Sequence, residues 1–140
     1  MSVDQENLRV LVVDDEVRVA DSMAQILLAS GYEAVPAYSA EAAIKMAEKL
    51  QPQAVISDIV MGPVSGIELA NHIRERYPAC RVLLISGHSS TRDLTQALFA
   101  RSSNLQFTPK PLAPERLLEF VAACAQAQQS DQHAGAPRPS

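Results

Sequence analysis

Three stretches of the chain, Leu8 to Val13, Ala54 to Ser57 and Arg81 to Ser86, are almost unbroken runs of Val, Leu and Ile. A strand with one solvated face alternates apolar with polar residues, whereas a strand covered on both faces does not. These runs therefore predict the middle of a parallel sheet with helices on either side. Two more short β-like runs, Glu33 to Ala37 and Leu105 to Thr108, bring the strands to five.

Segments with helical periodicity fill the gaps. Val17, Ala20, Ala24, Leu27 and Leu28 fall on one stripe, and Gly31 stands where a helix closes. Ser39 is placed to cap a second helix carrying Ala42, Ala43, Met46 and Leu50, with Glu41 in its first turn. Ile67, Ala70 and Ile73 mark a third that ends before Pro78. Ser90-Thr91-Arg92-Asp93 has the form of a capping box and opens a fourth. Pro114, suited to a first helical position, opens a fifth with Leu117, Leu118, Val121 and Cys124. Strand and helix alternating in this way predict an α/β domain, its parallel sheet flanked by five helices on both faces.

The 140 residues make one domain with a sizeable core. A net charge of −4 without a basic stripe argues against a nucleic-acid partner, and Arg74 and Arg76 read as a solvated helix face. Residues 1–7 are polar and acidic, expected to be flexible, and lack the basic start and apolar stretch of a signal peptide. No run approaches a membrane span in length. Cys80 and Cys124 lie in apolar surroundings and read as reduced thiols, which points to a cytoplasmic setting. His72, His88 and His133 have no ligand spacing, so zinc is not expected. Residues 127–140 lose all apolar periodicity and are expected to be a disordered tail or linker stub.

In an open parallel sheet, ligands sit beyond the carboxyl ends of the strands. At those ends stand Asp14 and Asp15, then Asp58 inside the apolar "QAVISDIVMG", then Ser86 with Gly87, then Lys110 between Pro109 and Pro111. Two carboxylates about 4 Å apart repel by roughly 4 kcal/mol at an effective dielectric near 20, and Lys110 offsets only part of that. A divalent cation resolves the conflict, and all-oxygen ligands suit Mg²⁺. A site so built can carry phosphoryl transfer, with one carboxylate as nucleophile and a lysine and a hydroxyl beside the transferring group.

This set, in this order, resembles the receiver domain of two-component response regulators over residues 8–126, in single-domain form. The resemblance rests on Asp14-Asp15 in "VVDDE", Asp58 in "ISDIVM", Ser86-Gly87 in "LLISGH" and Lys110-Pro111 in "FTPKP". It implies a doubly wound, flavodoxin-like five-stranded sheet of order 2-1-3-4-5. Asp58 would be the phosphoacceptor, loaded from a sensor histidine kinase or a histidine phosphotransfer domain. Asp15 and Asp58 would bind Mg²⁺ directly, Asp14 through water, and the carbonyl of Val60 would complete the protein ligands. Lys110 would pair with the phosphoryl group, and the Lys110–Pro111 bond would be cis. Ser86 and Phe107 would form the switch that alters the face of the fourth helix, fifth strand and fifth helix. That face would control an unidentified downstream protein, or the phosphate would pass on in a phosphorelay. Val60 and His88 would influence phosphate lifetime. The chain would have no catalysis beyond its own Mg²⁺-dependent phosphorylation and dephosphorylation, and would be a monomer or weak homodimer.

Departures from the family pattern are Gly62-Pro63 in place of Met-Pro, Ser65 in place of an acid, and Ser102-Ser103 in place of Gly-Ala-type residues. Two other readings stay open. One is an Asp-nucleophile phosphohydrolase of the haloacid-dehalogenase type, although such enzymes carry an aspartate two residues after the nucleophile and Glu16 stands at that distance from Asp14. The other is an interaction module that works without phosphorylation.

Overall fold

In a computed structural model the described residues are 7–60, 65–86 and 105–135, with side chains except those of Ser86 and residues 128–135. Five strands, β1 (Arg9–Val13), β2 (Glu33–Ala37), β3 (Ala54–Asp58), β4 (Arg81–Ser86) and β5 (Leu105–Pro109), form one parallel sheet in the order β2-β1-β3-β4-β5. Four helices are present among the described residues: α1 (Val17–Ala29), α2 (Ala40–Leu50), α3 (Gly66–Arg76) and α4 (Pro114–Gly135). The helix expected to open at Ser90 lies outside the described residues, as do Met61 to Val64.

The unbroken apolar runs have the expected cause. Along β1, Leu11 and Val13 join Val55, Val82 and Leu84 under α2 and α3, while Val10 and Val12 join Ile56, Leu83 and Ile85 under α1 and α4. Successive side chains of one strand thus enter two separate cores, so neither parity of the strand can be polar. On α2 the buried residues are Ala40, Ala43 and Ala47, whose small side chains let that helix lie close to the sheet. Leu117, Phe120, Val121 and Cys124 seat α4 on the other face.

Local chemistry sets the helix ends. Ser39 Oγ accepts the Ala42 N–H at 3.0 Å and caps α2. Gly31 follows α1 at φ +96°, a conformation that a Cβ disfavours. Pro114 is the first residue of α4. Among the described residues a capping box opens α3: Ser65 Oγ accepts the Glu68 N–H at 3.1 Å while Glu68 Oε1 accepts the Ser65 N–H at 2.9 Å.

Two expectations need correction. Val17 and Leu28 are about half exposed, and the buried stripe of α1 is Ala20, Met23, Ala24 and Leu27. Leu28 is turned by one residue, about 100°, from the fully buried Leu27, and Val17 is the first residue of the helix. The final helix also continues through the Gln-rich segment to Gly135, where regular structure was expected to stop near Gln126. Ala and Gln favour helix by intrinsic propensity, so loss of apolar periodicity there does not end the helix.

At the amino ends of the strands, Arg9 ties the sheet to the end of α2. Its Nε donates to the carbonyls of Leu50 at 3.0 Å and Gln51 at 2.8 Å, and Gln51 sits in the left-handed region at φ 54°. Those carbonyls belong to a helix terminus that has no intrahelical donors left. Arg9→Met removes both bonds and is expected to cost about 1–2 kcal/mol in urea denaturation. Because Arg9 is at the sheet edge opposite the acids, this substitution is expected to leave chemistry at Asp58 unchanged.

Candidate functional site

Strand order reverses between β1 and β3: β1 is followed in the chain by β2 on one side, and β3 by β4 on the other. The connections leave in opposite directions and open a crevice at the carboxyl ends, where ligands of such sheets bind. The Val13–Ser57 pairing then places Asp14 next to Asp58.

Each functional side chain is held by its own element. Asp14, 2% exposed, follows β1; its N–H donates to the Ala37 carbonyl at 3.1 Å, and its Oδ1 accepts the Glu16 N–H at 2.9 Å. That last bond is a local turn that ends the strand and starts α1. Asp15 is exposed. Asp58, 4% exposed, is the last residue of β3 and pairs with Ile85. The carboxylates of Asp14, Asp15 and Asp58 each offer an oxygen, and these lie within 4.8 Å of one another. Lys110 Nζ donates to Asp58 Oδ2 at 3.0 Å, and the Lys110–Pro111 bond is cis.

The electrostatics show how much this arrangement costs. Burial pushes the Asp14 carboxyl above its ordinary range; the Glu16 N–H opposes this, and the charges of Asp58 and Asp15 add to it. Burial pulls the Lys110 ammonium down, but its hydrogen bond to Asp58 and the charges of Asp58, Asp14 and Glu16 outweigh that and hold it above its ordinary value. One lysine, its side chain 44% exposed, faces three carboxylates. The donor set is all oxygen, compact and negative, with one exposed member, which fits Mg²⁺ that keeps its own waters and takes up phosphate oxygens. Asp14, Asp15 and Asp58 would hold the ion. Val60, two residues beyond Asp58, is 60% exposed.

The other expected residues fall as follows. Ser86 ends β4 opposite Pro109 of β5. Phe107 is half-buried, packed against the core under α2 and α3. Gly87, His88, Gly62, Pro63, Ser102 and Ser103 lie outside the described residues. Cys80 and Cys124 are free and buried; burial pushes their thiols up to about 12 and about 11, so neither is a nucleophile. No helix among the described residues is long and apolar enough to cross a membrane.

Two residues of the site carry no obvious chemical signature in the sequence. A Cβ on Gly66 would come within 2.1 Å of the Asp58 carbonyl oxygen and 2.9 Å of Ile59 Cα, and the Gly66 N–H donates to the Ile59 carbonyl at 2.8 Å. The start of α3 thus rests on the backbone of the Asp58 segment. Ser57, 1% exposed, donates from Oγ to the same Asp58 carbonyl at 2.9 Å.

Comparison with known proteins agrees with this geometry. Among curated proteins, the response regulator protein FleR of Pseudomonas aeruginosa is 32% identical over 114 residues, which is 81% of this chain and 24% of FleR. The response regulator MprA of Mycolicibacterium vanbaalenii is 28% identical over 128 residues, 91% of this chain and 54% of MprA. The chain thus spans well under two thirds of either relative. A CheY-like response regulator receiver domain protein from Methanospirillum hungatei superposes with a TM-score of 0.79 at 26% identity, covering 90% of this chain and 99% of that one. The haloacid-dehalogenase alternative is set aside on these matches. Residues 10–122 match the family model of the response regulator receiver domain, and with the switch-point acids, the lysine and the strand order in place, the chain belongs to that family.

Proposed function

We propose that this chain is a phosphorylation-driven signalling switch that takes a phosphoryl group onto Asp58 from the phosphohistidine of a sensor histidine kinase or a phosphotransfer domain. The observation that carries the reading is the meeting of three carboxylate oxygens within 4.8 Å, with Lys110 Nζ 3.0 Å from the Asp58 carboxylate. An Asp58 oxygen attacks phosphorus, an O–P bond forms, the P–N bond to the donor imidazole breaks, and its electron pair returns to the ring nitrogen. The carboxylate attacks as an anion, so no base is needed at the nucleophile. A bound Mg²⁺ would supply charge neutralisation on the transferring group. Asp14 and Asp15 hold negative charge where that ion would sit, and Lys110 offers a point charge to the new phosphoryl oxygens.

Ser86 at the end of β4 is assigned to a phosphoryl oxygen, and Phe107 on β5 to the change of surface that follows. Phe107 lacks a hydroxyl, so its part is packing alone. The output is contact with a downstream protein, or onward transfer of the phosphate, through the face that includes β5 and α4. Val60 and His88 are assigned to the rate at which water reaches the acyl phosphate.

Incubation with acetyl phosphate is expected to add one phosphoryl group by intact mass, only with Mg²⁺ present, and Asp58→Ala is expected to add none. Wild-type protein that stays unmodified with acetyl phosphate and with histidine kinases would instead favour phosphorylation-independent binding. Lys110→Met is expected to retain Mg²⁺ binding and to lose signalling through the switch, read as loss of the phosphorylation-induced chemical-shift changes on β5 and α4.

The acid cluster also makes a pH-dependent demand on stability. Because the folded Asp14 carboxyl titrates above its unfolded value, the folded chain keeps this proton at pH values where the unfolded chain has released it. The destabilisation is therefore absent below the ordinary carboxylate range, grows as pH rises from the ordinary value toward the raised one, and is complete above it. Asp14→Asn is expected to raise the metal-free thermal midpoint at pH 7 and to change it little at pH 3, read by thermal denaturation at the two pH values.

A further inference from the structure

Beneath the acids, the backbone after Asp58 is fixed from several directions. The Ile59 N–H donates to the Ile85 carbonyl at 3.1 Å, and the Ile59 carbonyl accepts the Gly66 N–H at 2.8 Å. The Asp58 carbonyl accepts the Ser57 hydroxyl at 2.9 Å, and Gly66 leaves no room for a Cβ beside that same oxygen. Of these contacts, only the one from Ser57 is made by a side chain. Its position is also unusual, since alternation along β3 sends it toward the α2 and α3 side that Val55 enters, and its neighbours there are apolar. A hydroxyl buried in such surroundings costs free energy unless it is bonded, and Ala or Val would fill the same place without that cost.

We infer that Ser57 is a positioning residue for the phosphoryl-transfer site: its hydroxyl and the bare Cα of Gly66 clamp the Asp58–Ile59 peptide. The clamp fixes the direction in which the chain leaves Asp58 toward Val60. This inference rests on the receiver function proposed above and adds a residue to it. The peptide that carries the Asp58 carbonyl shares its Cα with the nucleophilic side chain. Rotation of that peptide leaves the Asp58 side chain in place and redirects the chain toward Val60, whose carbonyl the receiver function assigns to the ion. Sheet pairing alone leaves that rotation to a single backbone bond on the Ile59 N–H, at the very end of the β3–β4 ladder. Ser57 touches no reacting atom, and its effect reaches the site through the main chain.

The test uses the full chain with Ser57→Ala and Ser57→Thr, the second of which keeps the hydroxyl. Mg²⁺ affinity is measured by calorimetric titration with MgCl₂, and phosphorylation by acetyl phosphate at limiting and saturating Mg²⁺. Loss of one neutral hydrogen bond corresponds to about fivefold in an equilibrium constant. Ser57→Ala is expected to weaken Mg²⁺ binding by about that factor. It should slow phosphorylation at limiting Mg²⁺ in proportion and recover at saturating Mg²⁺, with Ser57→Thr close to wild type. A purely structural serine would lower the thermal midpoint of Ser57→Ala and leave its Mg²⁺ affinity unchanged, and that result overturns the inference. Equal weakening in Ser57→Thr overturns it too, because the hydroxyl is then not the cause. If the wild type itself neither binds Mg²⁺ nor accepts phosphate, the receiver function fails and this inference with it.

Discussion

Like charges brought together at the edge of an apolar sheet are the constraint on which this structure turns. Asp14 and Asp58 are almost fully buried and share their corner with Asp15, against a single lysine. Such an arrangement lowers stability in isolation, and it persists because the surrounding sheet is strong enough to impose it. Val10 to Val13 and Ala54 to Ile56 are fully buried on both parities, so the central strands cannot shift to relieve the repulsion. The apolar interior and the acidic corner are two aspects of one design, with burial holding in place what electrostatics would separate.

Much of this was legible in the residues. Continuous Val, Leu and Ile runs announce strands with two covered faces, and the strand bounds agree with the structure to within a residue. Gly31, Ser39 and Pro114 mark helix ends through backbone chemistry that acts locally, and each does what its chemistry dictates. The acids, Lys110 and the cis Lys110–Pro111 bond stand together as the resemblance implied. Other features depend on tertiary placement that periodicity does not encode. Val17 and Leu28 fit the apolar periodicity of α1 yet are about half exposed, while Phe120, outside the periodic set of Leu117, Leu118, Val121 and Cys124, is a principal core residue of α4. Gly66 and Ser57 escaped notice because neither glycine nor serine announces a role without its neighbour in space.

The two edges of the sheet divide the work. At the amino edge, Arg9 and Gln51 satisfy the end of α2 with neutral acceptors and one guanidinium, an arrangement that serves stability alone. At the carboxyl edge, the same strands end in groups that are poorly compensated. Substitutions can thus affect stability at one end and chemistry at the other with little crosstalk, since the rigid strands between them are packed on both sides.

The pairing of β1 with β3 has one more consequence. Asp14 meets Asp58 only because Val13 lies opposite Ser57, and a slip of one residue would carry every side chain of the strand to the opposite face. Along the chain Asp15 and Asp58 are separated by α1, β2 and α2, so the full three-acid cluster exists only in the folded sheet. A cation that draws on all three carboxylates would therefore bind the correctly registered sheet. The concentration of such a cation would then act as a thermodynamic weight on the folded state, and the candidate site would double as a check that its own strands have been threaded in the right order.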